Sequence, residues 1–252
     1  MTFSDFIYSL SGIYNTTYQT PSLAQEAKIM SASAQTDFAS RTLADIASTL
    51  PGATALFRSE KLDFCCGGKA TLAEAMAAKQ KEPDALTARL QELEAAAASS
   101  DVPGDTDGLI DMILTRFHEA HRREIPELVK LARRVEAVHS EVTSVPAGLA
   151  DLLQRIGDEL ESHMQKEEQM LFPMMRAGGH PMICHPIAVM LSEHDDHGEN
   201  LRRLEALTND FTPPAEACTT WRALYAGARK LTDDVMEHIH TENNILFPRF
   251  TP

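Results

Sequence analysis

The second half of the chain repeats apolar residues at helical spacing over four long segments. We expect helices over residues 107–138, 147–176, 182–209 and 214–249. In the second segment one apolar stripe follows the helix and contains Leu149, Leu153, Ile156, Leu160, Leu171 and Met174. Because the connections are short, consecutive helices should run antiparallel. The pattern therefore predicts an all-α fold with an antiparallel up-down four-helix bundle over residues 107–250.

A small helical unit is expected before the bundle, over residues 41–98. Within it, Thr71 and Glu74 stand three positions apart and match a capping box, in which each side chain bonds the backbone N–H of the other residue. Residues 99–106, which contain one proline and one glycine, are predicted to form the linker. Residues 1–40 show no sustained periodicity, so we expect a loosely ordered extension there.

Two of the long segments share a template that carries candidate metal ligands. It reads His, three residues, Glu, three residues, Leu-Phe-Pro, and it runs from His163 to Pro173 and again from His238 to Pro248. On a helical projection the histidine and the glutamate of each copy lie in or beside the apolar stripe. Because an unpaired buried charge is costly, such residues need a partner, and a metal ion provides one.

The other two long segments carry paired histidines, His118 with His121 and His194 with His197. All four flank an apolar stripe, so helical phase leaves open which member of each pair is a metal ligand. The first member of each pair precedes the template histidine of the next segment by a nearly equal interval, 45 positions in one case and 44 in the other. We therefore expect an internal repeat with a pseudo-twofold axis and two equivalent half-sites.

Helical phase does choose among neighbours in the template segments. It places Glu167 and Glu242 inward, and it places Glu168 and His240 toward solvent. Four imidazoles and two carboxylates exceed what one tetrahedral zinc binds, and so many nitrogens disfavour magnesium and calcium. With bridging carboxylates and a solvent-derived bridge, the set leaves one position open on each of two six-coordinate irons. The sequence thus predicts two non-haem iron ions (Fe2+/Fe3+) joined by an oxo or hydroxo bridge.

Charge and hydropathy exclude two classes of partner. The net charge of −14 argues against nucleic acid, because phosphate binding needs a basic surface. No apolar run approaches the roughly 20 residues of a membrane helix, and no basic leader precedes an apolar stretch, so we expect a cytoplasmic protein without membrane contact. The four cysteines do not make a disulfide framework in a chain this long, and Cys184 and Cys218 are interpreted as inert thiols.

Cys65 and Cys66 form a separate candidate site, in the stretch Asp63-Phe64-Cys65-Cys66-Gly67-Gly68-Lys69. The N-terminus of the following helix and the nearby Lys69 would both favour thiolate. The functional interpretation is a soft-ligand or redox site that takes part in iron transfer or contacts a partner. The alternative is a turn whose glycines set the backbone shape, with incidental thiols.

The bundle motifs resemble a hemerythrin-type domain, with HxxxE on both template helices where blood-pigment hemerythrins use more histidines and one HxxxH helix. Together with the cysteine turn, Glu193-His194-Asp195 and Thr219-Thr220-Trp221, they resemble the di-iron iron–sulfur cluster repair family of ScdA type, over residues 41–250. The resemblance implies a non-haem di-iron protein, induced by nitric oxide or peroxide stress, that helps restore damaged iron–sulfur clusters. The resemblance also implies which residues bind iron, and it thereby selects the first histidine of each open pair. The implied ligands are His118, His163, Glu167, His194, His238 and Glu242.

Three functions fit these residues. In the first, the di-iron centre, with Cys65 and Cys66 in a catalytic role, repairs damaged iron–sulfur proteins as clients by donating iron. In the second, an enzyme binds and reduces nitric oxide or peroxide. In the third, a sensor or carrier of hemerythrin type binds dioxygen or nitric oxide reversibly. The cysteine pair favours repair over the carrier, whereas the sequence leaves open whether the protein is an enzyme and whether it forms a homodimer.

Overall fold

The computed structural model describes residues 36–96 and 102–251, and over these ranges the chain forms helices and no strand. The expected all-α fold is therefore confirmed. Most of the expected N-terminal extension lies outside the described residues, as do residues 97–101, which include the first part of the expected linker. None of the described helices is both long and apolar enough to cross a membrane.

The described N-terminal residues form four short helices: α1 (Leu43–Thr49), α2 (Ala53–Ser59), α3 (Leu72–Ala78) and α4 (Asp84–Ala96). Side-chain caps explain where two of them begin. The hydroxyl of Thr42 accepts a hydrogen bond from the Asp45 N–H at the start of α1. At the start of α3, Thr71 and Glu74 form the expected capping box.

Four long helices in the described residues form the bundle: α5 (residues 106–138), α6 (149–176), α7 (Cys184–Leu207) and α8 (219–249). Each packs against the next along the chain, and α8 closes the ring against α5. These contacts confirm the expected bundle, with helix ends within a few residues of those that the periodicity predicted.

The bundle interior contains two apolar clusters with a polar layer between them. One cluster includes Leu109, Phe117, Leu171, Ile187 and Phe247. The other includes Ile125, Leu160, Leu201 and Val235 and continues into the N-terminal helices. On α5, α6, α7 and α8 alike, the candidate metal ligands fall between the stretches that supply the two clusters. The apolar packing on both sides therefore fixes the height of the polar layer in the bundle.

Three bundle helices switch to π-helix at this layer. The π-helical segments are Ile113–His118 in α5, Glu167–Leu171 in α6 and Glu242–Leu246 in α8. The first ends on a candidate ligand and the other two begin on one. Such segments are rare and occur mostly at functional sites. In α6 and α8 the proline of Leu-Phe-Pro lies in the first turn of the next helical segment, where its missing N–H is not needed.

The N-terminal part packs on α8 at the same layer, because α1 contacts the segment Glu242–Leu246. The side-chain amide of Asn244 donates to the Phe64 carbonyl at 3.3 Å and hydrogen-bonds Nδ1 of His240 at 2.9 Å. His240 is buried, with its ring centroid 5.4 Å from that of Phe64. The expectation that His240 faces solvent is therefore wrong. Helical phase considers only the packing inside the bundle. His240 lies on another face of α8, which the N-terminal part covers.

Gly68 lets the cysteine turn close against α1. The Ala44 N–H donates to the Gly68 carbonyl at 2.9 Å. A Cβ on Gly68 would lie 2.5 Å from the Phe64 carbonyl oxygen and 2.9 Å from Cβ of Ala44. The close approach of two backbone segments therefore requires glycine at this position.

We expect Gly68→Ala to destabilise the protein by about 1–3 kcal/mol, because backbone atoms that now touch would have to separate. Gly104→Ala is the control, since nothing lies within 4 Å of a Cβ there. The midpoint of urea unfolding, followed by circular dichroism, measures the difference. Equal midpoints for the two variants would show that the turn tolerates a side chain.

Candidate metal centre

The six side chains predicted as metal ligands meet in the polar layer, and each is at most 1% exposed. Their donor atoms form two overlapping groups, each within 4.8 Å. We call them position 1, which contains His118 and His238, and position 2, which contains His163 and His194. Both glutamates belong to both positions. The internal repeat exchanges the two positions, as the spacing of the motifs predicted.

The two carboxylates lie between the positions. Their distances to imidazole Nε2 atoms are 3.4 Å from Glu167 to His118, 3.5 Å from Glu167 to His163, 3.1 Å from Glu242 to His194 and 3.1 Å from Glu242 to His238. Each carboxylate therefore faces one histidine of each position. A carboxylate that bridges two metal ions needs this placement.

Three of the four imidazoles are held by a polar group at Nδ1. The contacts are 2.8 Å from His118 to Glu168 Oε1, 2.9 Å from His163 to Glu193 Oε2, and 2.7 Å from His194 to Asn243 Oδ1. Because each of these oxygens accepts, the ring proton lies on Nδ1 and the lone pair lies on Nε2. Hydrogen bonds of this kind orient histidines that bind metal through the other nitrogen.

The lone pairs point at each other. In position 2, Nε2 of His163 lies 3.1 Å from Nε2 of His194, and neither nitrogen carries a proton. Two lone pairs at this distance in a buried layer repel each other, whereas a cation between them would bind both. In addition, no protein group in the described residues hydrogen-bonds either carboxylate oxygen of Glu167. The residues present therefore fit a metal ion.

Burial sets the charge of the layer. Desolvation lowers the pKa of His118 to about 4 and that of His163 to about 2, so both rings are neutral and can bind metal. Desolvation, reinforced by the facing carboxylate of Glu242, raises the pKa of Glu167 well above its usual value. Desolvation also acts to raise the pKa of Glu242, but electrostatic attraction to His238 outweighs it and holds that pKa well below its usual value.

The phenylalanines of the two Leu-Phe-Pro motifs cover the ligand rings. Phe172 stacks on His118 with ring centroids 5.8 Å apart, and Phe247 stacks on His194 at 6.0 Å. The helical segment that follows each π-helical segment begins at this phenylalanine and places its ring there. The template thus combines two ligands with a cover for a third ligand on a neighbouring helix.

His121 and His197 lie beside these positions but belong to neither. Both are buried, and their Nε2 atoms have no hydrogen-bond partner in the part of the chain that the structure describes. Their rings lie 5.4 Å from that of His238 and 5.1 Å from that of His163, respectively. The geometry thus favours the first histidine of each pair as the ligand, and that assignment stays a prediction.

Glu168 takes part in the centre although helical phase placed it in solvent. Its carboxylate is 29% exposed, accepts from His118, and is held by two nitrogens of Arg122 at 2.8 Å and 3.3 Å. The expectation of a solvent-facing Glu168 is therefore wrong, because this side chain lies where α6 packs against α5. The residue after each template glutamate (Glu168 and Asn243) supports a histidine, so comparing the two copies could have shown this role.

The cysteine turn docks beside position 2. Sγ of Cys66 lies 3.5 Å from the carbonyl oxygen of His194. The side-chain amide of Asn243 donates to the Cys65 carbonyl at 3.2 Å while its oxygen faces His194. Donor atoms of Asp63, Cys65 and Cys66 also lie within 4.8 Å of one another, so this turn could itself hold a metal ion.

The expected thiolate character of the turn is wrong for Cys65. A hydrogen bond with the Cys66 thiol, together with burial, raises the pKa of Cys65 well above its usual value. The helix that was expected to stabilise a thiolate begins only at Leu72. Cys65 is therefore a protonated thiol unless a metal ion replaces its proton.

Cys218 contradicts its interpretation as an inert thiol. It lies directly before α8, and its Sγ is 3.2 Å from Nε2 of His139. Hydrogen bonding from the Trp221 backbone, together with His139, lowers the pKa of Cys218 to about 7. Cys184, by contrast, is exposed and not buried as an inert apolar side chain would be.

Two family models match the chain. The hemerythrin HHE cation binding domain matches residues 109–250, and ScdA_N, described as a domain of unknown function, matches residues 39–94. The first therefore spans the bundle and the second spans the N-terminal helices with the cysteine turn.

Curated relatives match along most of their length. The iron-sulfur cluster repair protein YtfE of Citrobacter koseri is 47% identical over 213 residues, which is 84% of this chain and 97% of the relative. The proteins of the same name from Musicola paradisiaca and Escherichia coli O81 are each 48% identical, over 83% and 82% of this chain and 95% and 94% of the relative.

We expect His118→Ala to lose most of the bound iron, because it removes a ligand atom from position 1. His121→Ala should keep the iron, since its ring lies outside both positions. Iron content after anaerobic reconstitution and desalting measures both variants, with circular dichroism to check folding. Equal loss in the two variants would show that the choice within this histidine pair is wrong.

We expect Cys218 to react with iodoacetamide with a midpoint near pH 7, because the helix start and His139 stabilise its thiolate. His139→Ala should move the midpoint to higher pH. Mass spectrometry of the modified peptide gives the rate at each pH, and Cys184 in the same protein is the internal control. A midpoint that does not move in His139→Ala would contradict the pairing.

Proposed function

The chain belongs to the family of iron–sulfur cluster repair proteins with a hemerythrin HHE domain, and on this premise we propose that it is a di-iron protein that repairs iron–sulfur clusters. The damage it repairs would come from nitric oxide or oxidative stress. Its clients would be damaged iron–sulfur proteins, which it would supply with iron from the bundle. The expected cytoplasmic location belongs to the same proposal.

The observation that carries the proposal is the sharing of Glu167 and Glu242 between two groups of ligand atoms. One isolated ion would need only one such group. Two carboxylates that each face both positions fit two ions joined by bridges, and an oxo or hydroxo bridge would complete the pair. Two buried glutamates and four imidazoles can also stabilise two ions of changing oxidation state.

When bound, the irons would supply redox activity and one exchangeable coordination position each. The chain's residues hold and orient the ligands: Glu168, Glu193 and Asn243 fix imidazole tautomers, while Phe172 and Phe247 keep water from two of the rings. The proposed role of Cys65 and Cys66 is to receive outgoing iron as soft ligands. The distance of 3.5 Å between Sγ of Cys66 and the carbonyl oxygen of His194 places the turn beside the centre and supports this role.

A surface cavity of about 540 Å³ favours a second candidate, the reduction of nitric oxide or peroxide. Glu193 and His197 line this cavity, and Glu193 also hydrogen-bonds His163, so a small molecule could approach position 2 from there. A reversible carrier is the weaker candidate, because it would have no use for two thiols docked beside the centre.

The wild-type chain should bind two irons after anaerobic reconstitution, and Glu167→Leu combined with Glu242→Leu should bind far less. The reason is that each glutamate is a proposed ligand of both ions. Metal analysis per chain measures this, and Glu159→Leu, a change outside both positions, is the control. One tightly bound zinc in the wild type, or full iron loading of the double variant, would contradict the two-iron proposal.

Cys65→Ser combined with Cys66→Ser should keep both irons and lose cluster repair, because no thiol is needed to fill positions 1 and 2. The assay is recovered activity of a nitric-oxide-damaged iron–sulfur dehydratase, with Cys184→Ser as the control. Nitric oxide titration of the centre should be unchanged in the same variant. Undiminished repair would reduce the cysteine turn to a structural element.

A further inference from the structure

The internal repeat relates the metal ligands of the two halves, but it does not extend to all of the groups that contact those ligands. The repeat relates His118 to His194 and His163 to His238, and the two positions have the same ligand set. The stacked phenylalanines obey the same relation. The groups that face Nδ1 of each ligand histidine do not.

The residue after each template glutamate supports a histidine in both halves, with different chemistry. Glu168 gives His118 a carboxylate, whereas Asn243 gives His194 a neutral amide. The amide in turn donates to the backbone of the cysteine turn. Both rings are therefore anchored, one in each position.

The residue before the first histidine of each pair differs more strongly. Glu193, which precedes His194, gives Nδ1 of His163 a carboxylate that Lys166 also contacts. The equivalent residue before His118 is Phe117, whose ring stacks on His238 at 5.1 Å with an interplanar angle of 17°. Nδ1 of His238 has no hydrogen-bond partner among the residues that the structure describes.

Position 2 therefore has two anchored imidazoles, and position 1 has one. An acceptor at Nδ1 raises the basicity of the ligand nitrogen and fixes the ring, and losing one such partner typically costs about 10–100-fold in metal affinity. We propose that the ion in position 1, held by His118 and His238, is the one that the protein releases first. This inference assumes the two-iron centre proposed above and identifies which of its ions is donated.

The cysteine turn lies beside the position that keeps its ion. The turn docks on position 2, at the anchored histidine His194, and not on the position that releases first. Cys65 and Cys66 would then meet an ion that has left position 1, while the second ion stays with His163 and His194, whose rings Glu193 and Asn243 anchor. The ion would move as Fe2+ without a change of oxidation state, its histidine and glutamate ligands would stay on the protein, and each thiol that binds the ion would release its proton.

The test is the anaerobic release of Fe2+ from the full-length diferrous protein to excess ferrozine, followed by absorbance. We expect one equivalent in a fast phase and one in a slow phase, with rates that differ by about tenfold or more. Two ions that leave in one phase would overturn the inference and leave the two-iron proposal intact. A single ion per chain would instead overturn the two-iron proposal.

Two variants with a matched control show which ion leaves first. Asn243→Ala removes the anchor of His194, so the slow phase should accelerate toward the fast one. Asn244→Ala is the control, because this neighbour also donates to the cysteine turn but contacts no ligand histidine. An unchanged slow phase in Asn243→Ala, or equal acceleration in both variants, would contradict the assignment.

Phe117→Glu tests the other side, because it places a carboxylate where the second half of the repeat has Glu193. The fast phase should slow down, while the slow phase stays unchanged. If this buried change prevents folding, the asparagine pair decides the question alone.

Proton NMR of the Co2+-loaded wild type adds a readout independent of kinetics. We expect three imidazole N–H protons that exchange slowly with solvent, and four equally protected protons would contradict the missing anchor on His238.

Discussion

Two buried glutamates that face four buried histidines are the constraint on which the rest of the structure depends. Glu167 and Glu242 are fully buried in a layer between two apolar clusters, and lone pairs of neighbouring histidines point at each other there. Such a layer is costly in a bundle core unless a cation neutralises it. The π-turns, the stacked phenylalanines and the acceptors at Nδ1 all serve to hold these groups at one height in the bundle.

The N-terminal part is built onto this layer. Asn243 and Asn244 both donate to carbonyls of the cysteine turn, and Asn243 also orients a ligand histidine. The family models match the two parts of the chain separately, whereas the hydrogen bonds join them at the metal centre. A movement of the cysteine turn can therefore alter the orientation of His194 through the side chain of Asn243.

Much of this could be predicted from the sequence, because helical periodicity and caps are local properties. The bundle, the capping box at Thr71 and the inward Glu167 follow from spacing alone. His240 was misplaced because its partners come from another part of the chain, and Glu168 because it lies on a contact face between two helices. Helical phase could not choose between His118 and His121, because residues three positions apart on a helix both flank the same apolar stripe.

The Mössbauer spectrum of the ⁵⁷Fe-reconstituted, oxidised protein tests the central claim most directly. If the layer holds two bridged irons, the spectrum at low temperature should show quadrupole doublets of a spin-coupled diferric pair with no magnetic splitting in a weak field. Magnetically split signals of isolated ferric ions would contradict the account, because shared carboxylates would then not be joining two metal positions.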